Sequence, residues 1–301
     1  MEILVTGGTV FASRFTAEYF AQKGHAVTVL NRGTRPQPEG VGVLIGDRHD
    51  AKALLRGRHF DAVLDITAYN AGDVNDLLDA LDDFGTYVLL SSSAVYPETL
   101  TQPFRESQQI GPNRIWGAYG TNKIAAEAAL FERVPDAYAV RPPYLYGPMN
   151  NVYREAFVFE CAERDFPFYL PKDGALPLQF YYISDLCRLI EKLILTKPDI
   201  HILNAGNPET ISVKEWVRAC YGVLGKEPQF ICVSEEIPQR SYFPFYDYAY
   251  VLDVTAQRNI LPDVTPLDDG LRQAYAWWNT HREAVVRKPL FDYIAEHLQS
   301  R

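Results

Sequence analysis

Short apolar runs alternate with longer amphipathic ones through the first half of the chain. Ile3-Leu4-Val5 is too brief for a helix and is followed at once by Gly7 and Gly8. Phe11, Phe15 and Tyr19 then recur at four-residue spacing as far as Gly24, and His25-Ala26-Val27-Thr28-Val29-Leu30 is a second, β-branched run. The pattern predicts strand, glycine turn, helix and strand, a β-α-β unit with a right-handed parallel crossover. It repeats downstream, with strands over 41–47, 60–66, 86–91 and 137–142. Between them it predicts a short helix capped by Asp50 and ending near Gly57, a leucine-striped helix over 73–84 and a long helix over 118–132. Alternation of this kind predicts an α/β fold, a Rossmann-type doubly wound parallel sheet.

Beyond the turn Tyr146-Gly147-Pro148 the pattern becomes less regular. A helix runs from Asn150-Asn151 to about 165, strands at 180–183 and 200–204 flank a helix over 185–195, and these later elements are expected to return to the nucleotide sheet. The nucleotide-binding domain is thus assigned to 1–148 and 179–206. A smaller lobe, built from C-terminal insertions, takes 149–178 and 207–301. Residues 99–105, with Pro97 and Pro103 close by, read as a mobile loop or a plain connector. The aromatic run Tyr242-Phe243-Pro244-Phe245-Tyr246-Asp247-Tyr248 suits a wall that stacks on a ligand or the core of the lobe. Two C-terminal amphipathic helices, over 267–281 and 290–298, are assigned to packing.

Composition narrows the function classes. The 301 residues are 47% hydrophobic and 22% charged, enough for a well-buried core. No segment approaches the length that spans a bilayer, and the chain opens on a strand rather than a charged, apolar leader, so a cytoplasmic protein without a membrane partner is expected. A net charge of -9 argues against a general nucleic-acid surface. Cys161, Cys187, Cys220 and Cys232 are widely spaced and read as buried free thiols, and the six histidines form no pair at metal-ligand spacing, so no metal is assigned.

The chemistry concentrates at strand ends. A glycine turn feeding a helix N-terminus gathers unpaired N–H groups and the positive end of the helix dipole, which makes Gly7, Thr9, Val10 and Phe11 a dinucleotide phosphate site. Val10 stands where a third glycine would be usual, and a β-branched residue takes positive φ only at a cost. The second strand ends in Asn31 and Arg32 rather than an acid. A guanidinium there matches a 2′-phosphate, so NADP is expected as cofactor, with NAD open. Asp47 and Arg48, just past the third strand, are placed to flank the adenine. Ser91-Ser92-Ser93 ends the fifth strand, and Tyr119 and Lys123 share one face of the next long helix, a catalytic constellation in this setting.

These motifs agree in order with a known family. TGGT, SSSAVY, YGTNK, RPPYLYGP, FYYISDL and LNAG resemble the extended short-chain dehydrogenases/reductases, the NAD(P)-dependent epimerase/dehydratase group, over roughly residues 1 to 220. TGGT-x-F, LNRG and GDRHD are most similar to an atypical branch that includes chloroplast stem-loop-binding proteins. The resemblance implies Tyr119 as acid/base, Lys123 on the nicotinamide ribose and Ser92 polarising the reacting oxygen, with Ser91 at the cofactor. Ser93, the fallback for Ser92, and Asn150, Asn151 and Arg240 are assigned to a small-molecule substrate, a sugar or nucleotide sugar. A homodimer is a family implication. Where the sugar-nucleotide enzymes carry an Arg-Asp-aromatic run this chain has Leu178-Gln179-Phe180, so half of the expected phosphate clamp is missing. The resemblance therefore implies an NAD(P)-dependent epimerase/dehydratase-type oxidoreductase acting on a hydroxyl or carbonyl carbon. The alternative is an RNA- or nucleotide-binding protein that keeps the fold without turnover.

Overall fold

A computed structural model describes residues 1–234 and 236–299; Glu235, Ser300 and Arg301, the last two inside the assigned lobe and the first within it, lie outside the described residues. The chain divides into two compact units, one of 1–145, 180–208 and 252–264, the other of the remainder.

The first unit is organised by β1 (Glu2–Thr6), β2 (Ala26–Asn31), β3 (Gly42–Ile45), β4 (His59–Asp65), β5 (Asp83–Leu90) and β6 (Tyr138–Arg141), with a seventh strand at Ile202–Asn204. Their order is Ile202–Asn204, β6, β5, β4, β1, β2, β3, and every neighbouring pair is parallel. Val5, Val63, Leu64, Val88 and Leu89 are fully buried. Strands covered on both faces need such unbroken apolar runs. β1 lies between β2 and β4, so the strand order reverses there, and the carboxyl ends of β1 and β4 form the crevice in which such sheets bind ligands.

The helices are α1 (Phe11–Gln22), α2 (Lys52–Leu55), α3 (Ala71–Ala80) and α4 (Ala118–Arg133), followed by Ile183–Thr196. α1 forms where the four-residue spacing predicts a helix, its buried face being Ser13, Thr16, Ala17 and Phe20, with Phe11, Phe15 and Tyr19 half-buried. Small side chains let the helix approach the sheet beside the glycine turn. Several sequence expectations need correction. Asp47, not Asp50, caps the short helical segment after β3, accepting from the His49 amide, while α2 has no side-chain cap. Phe180–Tyr182 does not join the nucleotide sheet; it pairs with the short strand beginning at Tyr144. The loop over 99–105 is pinned: the buried Phe104 ring stacks on Tyr96 at 5.1 Å, and its carbonyl accepts from the Asp253 amide and the Asn204 side chain. Those bonds carry 252–264 into the first unit, although its sequence position suggested the lobe.

In the second unit Phe168–Pro171 pairs in parallel with Phe230–Val233 beside helices Glu155–Glu163, Val213–Gly222, Leu267–Thr280 and Leu290–His297. The aromatic run resolves toward core: Tyr242, Phe243 and Phe245 are buried, and Phe245 meets Trp216 edge to face at 5.0 Å. Cys161, Cys187 and Cys220 are buried free thiols, but Cys232 is exposed, since its strand presents that position outward. No helix among the described residues is long and apolar enough to cross a membrane.

Candidate active site

The turn after β1 is built for close approach. Gly7 and Gly8 take φ of 87° and 83°, and the Gly7 amide bonds the Leu30 carbonyl at 2.9 Å. A Cβ on Gly8 would stand 2.4 Å from Val29 Cγ1. Val10 escapes the strain expected of it, lying extended at φ -140°, and the positive φ passes to Phe11 at 35°. Val10 supplies no side-chain cap to α1, and the first turn carries no acid. An N-terminus with orphan N–H groups and no local anion suits a phosphate. Thr9 completes the turn, half-buried.

Asn31 binds this turn to the end of β2. Its Nδ2 donates to the Gly7 carbonyl at 2.8 Å and to Gln37 Oε1 at 2.9 Å, while its Oδ1 accepts from the Gly33 amide. Arg32 and Arg35 are exposed in the loop that follows.

Asp47 and Arg48, adjacent in sequence, part company. Asp47 is exposed, whereas Arg48 turns inward and sets Nη2 2.8 Å from both carboxylate oxygens of Asp65. Asp65, fully buried at the end of β4, also accepts from Thr6 Oγ1 and Tyr87 OH, each at 2.7 Å. Thr6 Oγ1 in turn accepts from the amides of Ile66 and Thr67. Four segments are thereby fixed at the switch point around one carboxylate, and burial beside it pushes the Tyr87 phenol up. The Arg48 Nε and Nη1 atoms are buried without a hydrogen-bond partner among the described residues. Sequence reasoning missed this node because Thr6, Arg48, Asp65 and Tyr87 are scattered along the chain, and only the strand order unites them.

The structure brings the segments bearing Ser92, Tyr119 and Lys123 together. Gly120, between the phenol and the lysine, packs so tightly on the chain after β5 that a Cβ there would stand 2.4 Å from the Ala94 carbonyl. Ser92 caps that segment, its Oγ accepting from the Ala94 amide at 3.2 Å. Lys123 is buried, and its Nζ donates to the carbonyls of Ala68 and Leu90, each at 2.7 Å. The ammonium lies 6.0 Å from the Tyr119 ring centroid and 5.2 Å from that of Tyr69. Burial pushes Lys123 down to about 8, against the upward pull of Asp65, Glu127 and Asp73. Tyr119 keeps 39% of its surface exposed, so an exposed phenol stands beside a buried ammonium. Tyr69 was not singled out from sequence; its position directly after the β4 end was the available signal.

Ser91 and Ser93 take other directions. The Ser91 hydroxyl donates to the buried Glu127, and Ser93 is buried with its amide on the Pro142 carbonyl. In the second unit Asn150 is buried, donating to Glu155 Oε1 at 2.8 Å and accepting from the Val152 amide. The Asn151 carbonyl accepts from the Val286 amide, and the Arg240 guanidinium lies 4.5 Å from the Tyr246 ring centroid.

Comparison with known proteins bears on the family and the fold. The model of the NAD dependent epimerase/dehydratase family matches residues 3–206. The chloroplast stem-loop binding protein of 41 kDa b of Arabidopsis thaliana is 26% identical over 91% of this chain and 78% of its own. A dTDP-4-dehydrorhamnose reductase of Mycolicibacterium smegmatis is 24% identical over 89% and 82%. The UDP-glucuronic acid 4-epimerase of Bacillus cereus, solved with UDP-glucuronic acid and NAD, superposes with a TM-score of 0.74 at 18% identity, covering 93% of this chain and 99% of that one. Because that family model spans residues 3–206 of the 301, the chain belongs to the NAD dependent epimerase/dehydratase family and is an NAD(P)-dependent enzyme on a Rossmann-type fold.

Proposed function

We propose that the protein oxidises or reduces a hydroxyl or carbonyl carbon of a sugar or nucleotide sugar, with NADP(H) preferred over NAD(H), in the cytoplasm. The observation that carries this reading is the buried Lys123 ammonium, held on two main-chain carbonyls beside Tyr119. A structural lysine has no need of such a site, since burying an ammonium costs free energy that an apolar side chain would not. The sugar reading draws on the reductase and epimerase relatives.

Gly7, Gly8, Thr9, Val10 and Phe11 would hold the diphosphate, Asn31 and Arg32 the adenosine ribose with its 2′-phosphate, and Lys123 the nicotinamide ribose. When bound, a nicotinamide would supply the hydride chemistry at the substrate carbon. Ser92 donates its hydroxyl hydrogen to the reacting oxygen. Tyr119 takes or returns the proton on that oxygen, and the neighbouring cation stabilises negative charge as it grows on the phenol oxygen. Asp65 and Thr6 hold the ends of β1 and β4 in register beneath it. Asn150, Asn151 and Arg240 of the second unit are proposed substrate contacts, and a homodimer is the proposed assembly.

Absorbance in the nicotinamide band, followed while nucleotide sugars and plain sugars are offered to the purified protein, tests this reading; substrate-dependent change supports it, and none with any sugar opposes it. A second reading, RNA binding without turnover, is favoured by the stem-loop-binding relative. The net charge of -9 weighs against it. Salt-titrated binding to structured RNA separates the two, because contacts to a phosphate backbone weaken steeply with salt.

A further inference from the structure

Behind the Tyr119–Lys123 face lies a buried polar chain with no direct part in the chemistry above. Glu127 continues the stripe of α4 one turn beyond Lys123, as Lys123 does beyond Tyr119. Its carboxylate receives Arg141 of β6 through Nε at 2.9 Å and Nη2 at 2.5 Å, together with the Ser91 hydroxyl from the end of β5. Arg141 Nη1 donates to Tyr96 OH at 2.9 Å, and Tyr96 donates to Asn204 Oδ1 at 2.8 Å. Ser91, Glu127, Arg141, Tyr96 and Asn204 are all nearly or fully buried. Ser91 immediately precedes Ser92, so one carboxylate touches the residue next to the proposed oxygen-binding serine and sits one turn from the proposed ribose-binding lysine.

We propose that Glu127 is a positioning residue for the Ser92, Tyr119 and Lys123 constellation: a buried anion that fastens the reactive face of α4 to the ends of β5 and β6 and supplies counter-charge behind the lysine. The inference rests on the oxidoreductase reading. An ion pair needed only for packing would work equally well at any buried point of α4. This one touches Ser91, between the end of β5 and Ser92, and its second partner, Arg141, ends the adjacent strand. The charge environment of Lys123 is otherwise set by Asp65 of β4, Asp73 of α3 and Arg48, with the Tyr69 and Tyr119 rings over the ammonium. Arg48 opposes the two aspartates and pairs with Asp65, as Arg141 pairs with Glu127, so each carboxylate acts on the lysine through an ion pair. Glu127 is the member of the set that shares the lysine's own helix.

The test uses the full chain and the variants E127Q, E127D and the double variant E127Q/R141M, which removes the pair without stranding a buried guanidinium. The 13Cε resonance of Lys123, assigned with K123R, is titrated, and NADPH affinity is measured across the same pH range. In E127Q the Lys123 midpoint is expected to fall by about one pH unit, with NADPH affinity lost correspondingly earlier, and in the double variant, where a positive charge leaves with the negative one, to fall in the same direction by less. E127D, which retains the charge, is expected to stay close to the wild-type midpoint. Should E127Q fail to fold, the double variant decides. A Lys123 midpoint unchanged by loss of the carboxylate, with wild-type NADPH affinity, would overturn the proposal and leave Glu127 a packing ion pair. A wild-type protein that binds NADPH yet turns over no sugar would instead count against the substrate reading, and the lysine titration would still decide the role of Glu127.

Discussion

Asn31 donates its side-chain amide to the carbonyl of Gly7 over 2.8 Å, tying the end of β2 to the phosphate turn after β1. The residue that would meet the adenosine ribose therefore also sets the turn that would meet the diphosphate. Replacing it with aspartate removes that donor and places a negative charge where a 2′-phosphate is proposed. Asn31→Asp is expected to weaken NADPH binding by at least about 10-fold, the equivalent of one lost charge-assisted hydrogen bond, and NADH binding far less. Arg32→Ala is expected to act in the same direction. Equilibrium titrations with both nucleotides check this, and equal losses for the two would remove the 2′-phosphate assignment.

The Asp65 carboxylate takes bonds from Thr6, Arg48 and Tyr87 while fully buried. Asp65→Asn leaves the Arg48 guanidinium charged and without its counter-ion. Breaking a buried pair from one side costs about 3–5 kcal/mol, so urea unfolding should register a loss of that order. A loss below about 1 kcal/mol would show that solvent reaches the pair.

Gly120 touches the segment capped by Ser92 with no room for a methyl group. Gly120→Ala must push α4 away from the Ala94 carbonyl. The expected outcome is a stability loss of about 1–3 kcal/mol and a fall in turnover of about 10-fold or more, because reacting groups misplaced by about an ångström lose much of their rate advantage. Thermal unfolding and steady-state kinetics read the two effects separately.

Lys123, pushed down to about 8 by burial, gives a pH dependence with a definite sign. Its ammonium is present below that value and lost as pH rises through it, so NADPH affinity should decline above about pH 8. Stability runs the other way. From about 8 up to the ordinary lysine value, the unfolded chain holds a proton that the folded chain has released. This residue's contribution to stability therefore increases with pH across that window. Lys123→Met should abolish both trends, which isothermal titration and denaturant unfolding at several pH values would reveal.

The strand-turn-helix start and the Tyr119/Lys123 spacing were legible in the sequence because each is local: helical period and glycine placement fix them within a few residues. Other features were not local. The orientation of Arg48 depends on Asp65, 17 residues away on β4, which β1 and β2 separate from the β3 that precedes Arg48, and that of Ser91 on Glu127 across the strand–helix layer. The strain expected at Val10 moved one residue on, to Phe11, since the backbone at a turn can distribute positive φ in more than one way. The placement of 252–264 was hidden for a similar reason: its determinants are the Phe104 carbonyl and the amide of Gly206, to which Gln257 offers its side-chain oxygen.

The most direct test of hydride chemistry at Tyr119 compares Tyr119→Phe with the wild type, following nicotinamide absorbance with an active sugar substrate and NADPH binding in parallel. The expected result is a fall in turnover of about 100-fold or more, as for loss of a positioned acid/base, with NADPH affinity within about 2-fold of wild type. Turnover retained in the Phe variant would contradict the assignment.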